Sequence, residues 1–200
     1  MPIQRNPYMN LFMSYKGVIP KKTCNKIIKL GKQKKVIKAT IDSNKYRPDL
    51  RVTNVSFLNP LWMYNLFAPY IRDANQQLGW NYVYDWCEDY QFAEDKKSGH
   101  YNWHRDIHDD PYQGMNTNFN GKVRKLSLIC SLNEDYEGGE LGVWNPDPRK
   151  TESKRIMNVK DIKTMGTVVI FSSLLWHRIK PVTKKTRYSI VNWVLGFPWK

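Results

Sequence analysis

Cysteine is scarce in this sequence: 200 residues hold only Cys24, Cys87 and Cys130. An odd number at wide spacing excludes a disulfide framework and suits a reducing compartment. No apolar run approaches the roughly 20 residues of a membrane span. The opening MPIQRNPYMN has no long apolar core of a signal peptide. We therefore expect a cytoplasmic protein without membrane contact, encoded by a bacterium or by a virus acting in its host's cytoplasm. The 11 glycines form no repeat, which excludes a collagen-like chain. Acidic residues are few, 18 against 32 basic, and only two of them fall in residues 1–50, beside 12 basic ones. Such a segment suits either a polyanion or plain solvation. The run Lys21, Lys22, Lys26, Lys29, Lys32, Lys34, Lys35 and Lys38 has no interleaved aromatics, which favours a solvated helix face.

What is present is globular: 41% hydrophobic and 25% charged residues exclude a disordered chain. The length fits one domain over residues 1–200, with 1–80 as a helix-containing layer packed on a core formed by 81–200. Thr23 is placed to cap a helix from Cys24 to Lys32, and Asn59-Pro60 to open another that ends at Gly79, kinked or joined at Pro69. Val36–Ile41, Leu50–Phe57, Tyr82–Trp86, Tyr90–Ala93, Val123–Leu132, Leu141–Trp144, Arg155–Val159, Thr167–Ser172 and Arg187–Leu195 read as strands. Short strands separated by turns predict a barrel or sandwich with helices outside. Residues Ile107–Lys122, rich in Asp, Asn and Gly, read as a long loop.

Only four histidines occur, three of them in SGHYNWHRDIHDD. In a strand, His104 and Asp106 point to one face. His177, following the apolar VVIFSS, can supply a third ligand. Two imidazoles and a carboxylate suit non-haem Fe(II) and leave coordination positions open. Ten residues on comes Arg187, expected on a strand neighbouring and antiparallel to that of His177. Arg187, Ser189, Val191 and Trp193 share one parity. An Arg facing inward needs an anion, and a dicarboxylate whose other end chelates the metal would supply it, with Ser189 assisting.

Together WHRD, RKLSLICSLN, EGGEL, GTVVIF, WHRIKPV and TRYSIVNWVLG resemble the Fe(II)/2-oxoglutarate-dependent dioxygenases, within them the prolyl-4-hydroxylase-like group, over residues 90–196. The resemblance implies a mainly β fold with flanking helices and a double-stranded β-helix, or jelly-roll, core. It implies iron ligands His104, Asp106 and His177, with Arg187 on the far carboxylate of 2-oxoglutarate. Ser127, Ile129 and Ser131 would face the cosubstrate, and Ile179, Leu141 and Trp193 would line its cavity. Where many relatives carry a Tyr before the metal-binding His, this chain has Glu94 and Asp95; where another Tyr is common it has Ser131. Tyr101 is the expected substitute. Trp103 and Tyr112, with Met115, are expected near substrate, the Ile107–Lys122 loop acting as a lid. The implied reaction consumes O2 and 2-oxoglutarate, releases succinate and CO2, and hydroxylates a C–H bond, with ascorbate as reductant.

The implied substrate is a prolyl residue of a protein or peptide, followed by a free amino acid or other small molecule. Nucleic acid ranks lower, because demethylases of this superfamily carry a second Arg six residues after the first, where this chain has Trp193. Zinc on a helix bearing His100, His104 and His108 would leave His177 and Arg187 unexplained; His100 and His108 read as ordinary hydrogen-bonded residues. A non-catalytic jelly-roll module is the alternative of another class.

Overall fold

The computed structural model describes residues 11–41, 46–114 and 118–199. The chain begins with β1 (Phe12–Tyr15), α1 (Lys21–Gln33), β2 (Ile37–Lys38), β3 (Arg51–Val52), β4 (Asn54–Leu58) and α2 (Leu61–Gln77). There follow β5 (Trp86–Cys87), β6 (Tyr90–Asp95), β7 (His100–His104), β8 (Val123–Ser131), β9 (Glu137–Gly138) and β10 (Leu141–Trp144). Then come α3 (Glu152–Arg155), β11 (Ile156–Asn158), β12 (Val168–Ser172), β13 (His177–Ile179), β14 (Val182–Lys184) and β15 (Arg187–Gly196). The larger sheet runs β1-β12-β8-β15-β6-β4-β2, with β5 also on β15; the smaller runs β11-β10-β13-β7-β3; β14 pairs with β9. The pairs are antiparallel, as in the expected jelly roll with helices outside.

Alternation along β8 and β15 explains the layering. Leu126, Leu128 and Cys130 with Ile190 and Val194 face one way and join Cys24 and Ile27 of α1 and Met63, Phe67, Ile71 and Ala74 of α2 in one buried cluster. The other face carries Ser127, Ile129 and Ser131 with Arg187, Ser189, Val191 and Trp193, and Ile129 belongs to a second cluster with Leu141, Val143, Val169 and Phe171. The large sheet is thus covered on both sides, by helices and by the smaller sheet. The helix layer is held close by Gly31, where an added Cβ would lie 2.3 Å from the Phe92 ring.

Several elements differ from expectation. The first helix begins at Lys21, before Thr23: Pro20 precedes it, and its carbonyl accepts from the amides of Thr23 and Cys24, so Thr23 lies inside the first turn. The second helix is one element through Pro69 and not two joined at it. Residues 82–85 form no strand; the Asn75 side chain instead binds the Tyr82 amide and carbonyl, both at 3.0 Å. Leu50–Phe57 is two strands, not one. Arg51–Val52 pairs with Tyr101 and His100 in the smaller sheet, and Asn54–Leu58 pairs with β6 in the larger. The chain changes sheets at Thr53. His177 and Arg187 likewise do not lie on neighbouring strands: β13 and β15 belong to opposite sheets, because β14 and a left-handed Lys185 (φ 59°) carry the chain across.

Candidate metal centre

His104 closes β7, His177 opens β13, and the two are register partners. Asp106 lies beyond the end of β7 instead of on it, held where its amide donates to the Ser173 carbonyl at 3.1 Å. The three converge: His104 Nε2 is 3.6 Å from Asp106 Oδ1, and His177 Nε2 is 3.5 Å from Oδ2. Nδ1 of His104 lies 2.7 Å from the Asn102 carbonyl and Nδ1 of His177 lies 2.9 Å from that of Leu175. Those contacts assign the proton to Nδ1 and leave each Nε2 lone pair facing the carboxylate.

Burial pushes the His177 imidazole down to about 4, with His104 adding to the shift and Asp106 opposing it. His177 is therefore neutral and able to ligate near pH 7. Burial alone would raise the Asp106 carboxyl, but His177, His104 and the Arg124 guanidinium together hold it well below the usual carboxylate range. Ser127 Oγ donates to Asp106 Oδ2 at 2.6 Å and lies 2.9 Å from Ser173 Oγ. One carboxylate and two imidazoles, with Asp106 and His177 buried and His104 partly so, fit Fe(II) and its open positions.

A bulge shapes the wall beside the triad. Between the His177–His104 and Ile179–Tyr101 pairs, β7 holds one residue more than β13. The extra residue turns Tyr101 to the same side as His104. The two rings stack with centroids 3.4 Å apart and planes at 14°. Trp103, adjacent to His104, faces the opposite way by strand alternation, contrary to its expected place near substrate. It sits beneath the Arg178 guanidinium, edge-on to Trp144.

Next to the triad a cavity opens between the sheets, lined by Arg51, Asp95, Tyr101, Ile179, Arg187 and Ser189 among others. Arg187 Nη1 donates to Asp95 Oδ2 at 2.8 Å and to Ser189 Oγ at 3.0 Å. Burial would lower the Arg187 pKa, but Asp95 and Tyr136 hold it above the ordinary value. Nε and Nη2 of Arg187 are buried without a partner among the described residues. Unmade buried donors cost about 1–3 kcal/mol each. They fit the far carboxylate of 2-oxoglutarate, within reach of a metal on the triad.

The remaining candidates are dispersed. Ser131 turns its hydroxyl to the Asn133 carbonyl at 3.1 Å, and Leu141 is packed in the core between the sheets. Trp193 is buried with the Arg124 guanidinium 3.8 Å over its ring. Tyr112 donates to Glu88 Oε1 at 3.0 Å, while Met115 lies outside the described residues. His100 is hydrogen-bonded through Nδ1 to the Ser98 carbonyl, and His108 meets Tyr112 edge-on. Three functional candidates escaped the sequence reading. Arg124 and Glu88 form a largely buried forked ion pair at 2.6 and 2.9 Å, with Arg124 Nη1 also on the Asp106 carbonyl. Arg51 reaches the cavity from the N-terminal layer. Pairs distant in sequence leave no local spacing to detect.

The family description "2OG-Fe(II) oxygenase superfamily" matches residues 90–195. A PKHD-type hydroxylase of Gloeothece citriformis is 32% identical over 80 residues, covering 40% of this chain and 32% of that protein. The chain thus spans about a third of the length of the curated relatives it matches. The crystal structure of a Pseudomonas putida prolyl-4-hydroxylase superposes with a TM-score of 0.67 at 18% identity, over 92% of this chain and 91% of that one. A Trichoplax adhaerens prolyl hydroxylase in complex with a hypoxia inducible factor peptide fragment gives 0.66 at 16% identity, over 93% and 84%. The fold is therefore that of the prolyl hydroxylases, and with more than half of its length matched to the family the chain belongs to the 2OG-Fe(II) oxygenase superfamily.

Proposed function

We propose that this protein is an Fe(II)- and 2-oxoglutarate-dependent dioxygenase that hydroxylates a C–H bond, most readily that of a prolyl residue in a protein or peptide. The reading rests chiefly on one observation: a largely buried His104–Asp106–His177 triad beside a cavity where Arg187 keeps two unfilled donors. Bound iron would activate O2 as the oxidant, and 2-oxoglutarate would give up two electrons in its oxidative decarboxylation to succinate and CO2. The residues of this chain bind and orient. His104, Asp106 and His177 hold the metal, and Ser127 fixes the carboxylate that ligates it. Arg187 and Ser189 take the far carboxylate, and Tyr101 and Ile179 wall the cavity.

Trp193, Arg124, Glu88 and Tyr112 form a linked aromatic and charged group on the Asp106 side of the triad. Tyr112, Glu88 and Arg124, each partly exposed, present polar groups that suit a peptide backbone, while Trp193 lies buried beneath Arg124. The Trichoplax relative is described as bound to a peptide, which supports the same substrate class. A free amino acid is the next candidate. For a reducing, cytoplasmic setting the support is that Cys24, Cys87 and Cys130 all stand as free thiols. Ascorbate is proposed as the external reductant.

Anaerobic titration with Fe(II) and then 2-oxoglutarate tests the cofactor assignment through the visible charge-transfer band of the chelate. Admitting O2 with proline-containing peptides, with and without ascorbate, then tests the substrate by succinate release and by oxygen-mass increments on the peptide. No band from folded protein would overturn the dioxygenase reading. A band with succinate released only by a free amino acid would overturn the peptide substrate.

A further inference from the structure

Arg187 does not by itself present a free positive charge to the cavity. Asp95, only 3% exposed, is bonded to its Nη1 at 2.8 Å. Paired this way, the two neutralise each other, and a carboxylate arriving at Nε and Nη2 would meet hydrogen-bond donors without a net cation behind them. Burying an uncompensated carboxylate is costly, so another charge is required.

Arg51 stands in the same cavity wall and is 8% exposed. Its Nε is buried and has no hydrogen-bond partner among the described residues. The guanidinium lies 4.6 Å over the Tyr101 ring, which itself stacks on the ligand His104. No carboxylate bonds it directly among the described residues. Burial accordingly works against its charge, which Tyr101, Asp95 and Asp106 offset only in part and Arg124 opposes further. A buried arginine with an unfilled donor, stacked but not ion-paired, is short of one anion.

The charges close when both arginines are counted. Arg51 and Arg187 with Asp95 leave one positive charge in the cavity. A divalent metal on Asp106 and two neutral imidazoles leaves one more. A dicarboxylate dianion balances both. Without Arg51, its far carboxylate would have no unpaired cation to meet.

We infer that the far carboxylate of the cosubstrate is held between two arginines, and that Arg51 is a cosubstrate-binding residue supplying the charge that Asp95 withdraws from Arg187. This rests on the dioxygenase reading above. The position is reached because the chain changes sheets at Thr53, leaving Arg51 on β3 beside Tyr101.

The test compares wild type with Arg51→Gln, Arg51→Lys, Arg187→Ala and the double variant Arg51→Gln/Asp95→Asn. Fe(II) affinity is measured first by anaerobic calorimetry, then the affinities for 2-oxoglutarate and for 2-oxobutyrate, which lacks the far carboxylate. Arg51→Gln is expected to weaken 2-oxoglutarate by about 10- to 100-fold, the range of a hydrogen bond to a charged group. Fe(II) and 2-oxobutyrate affinities should hold within about twofold of wild type, since neither uses the far carboxylate. Adding Asp95→Asn should restore most of the loss, because it frees the charge of Arg187. Unchanged 2-oxoglutarate affinity in Arg51→Gln, with Arg187→Ala defective, overturns this inference alone. An equal loss for both oxoacids overturns it too, by making Arg51 a packing residue. Arg51→Lys, which keeps the charge, should retain most of the 2-oxoglutarate affinity, and should Arg51→Gln not fold, Arg51→Met carries the same comparison. Wild type that binds Fe(II) but no 2-oxoglutarate overturns the dioxygenase reading itself.

Discussion

Ser127 donates its hydroxyl to the Asp106 carboxylate at 2.6 Å from a strand, β8, that bears no metal ligand of its own. The bond uses one lone pair of the ligand and fixes its orientation, while Ser173 at 2.9 Å completes the chain. Partners of this kind set metal affinity almost as much as the ligands do. Ser127→Ala should weaken Fe(II) binding about 10- to 100-fold with the circular dichroism spectrum unchanged. Calorimetry under argon decides it, and wild-type affinity would show the bond to be incidental.

Removing a ligand should do more. His177→Ala and Asp106→Ala are each expected to lower Fe(II) affinity by more than about 100-fold. For wild type, metal at about 100 times its dissociation constant adds about 2.7 kcal/mol. For a domain of this size that is about 5–10 °C in Tm. Calorimetric scans with Fe(II) and with a chelator should differ by that amount in wild type and coincide in either variant.

Gly139 has φ +65°, and a Cβ there would stand 2.9 Å from Arg187 Cδ and 3.2 Å from Tyr136. Gly139→Ala combines a left-handed backbone, costing about 1–3 kcal/mol, with pressure on Arg187, the arginine proposed to bind the cosubstrate. Lower stability in urea and several-fold weaker 2-oxoglutarate binding are expected at unaltered Fe(II) affinity. Wild-type binding of both ligands would mean that Arg187 has room to yield.

The Glu88–Arg124 pair is largely but not fully buried, its side chains 14% and 15% exposed. Truncating one partner leaves the other charge uncompensated, at about 3–5 kcal/mol. Glu88→Ala should therefore fall by that much in urea denaturation. Replacing both, Glu88→Gln with Arg124→Met, should recover part of the loss while abolishing turnover of a peptide substrate. Full turnover in the double variant would remove the pair from the substrate pocket.

Much of the site was legible in residues alone. The shared parity of Ser127, Ile129 and Ser131, and of Arg187, Ser189 and Trp193, follows from strand alternation over long runs. The scarcity of histidine left few ways to build a metal site. Trp103 misled because it was placed by nearness to His104 in sequence, whereas adjacent strand residues face opposite ways; the bulge in β7 instead brought Tyr101, of the other parity, to the side of His104. The Leu50–Phe57 stretch misled because its β-forming residues have the same local preference in either sheet, and nothing near Thr53 marks the change of partner.

The sequence by itself determined the chemistry of this protein. Two imidazoles, one carboxylate and an inward arginine, set on short β-forming stretches, carry their donor atoms and their alternation wherever the chain leads. Tertiary structure alone decided which charges meet. Asp95 against Arg187, Glu88 against Arg124 and Arg51 over Tyr101 join strands distant in the chain. Long-range register, burial and the crossing between sheets create those pairs, and no local propensity encodes them.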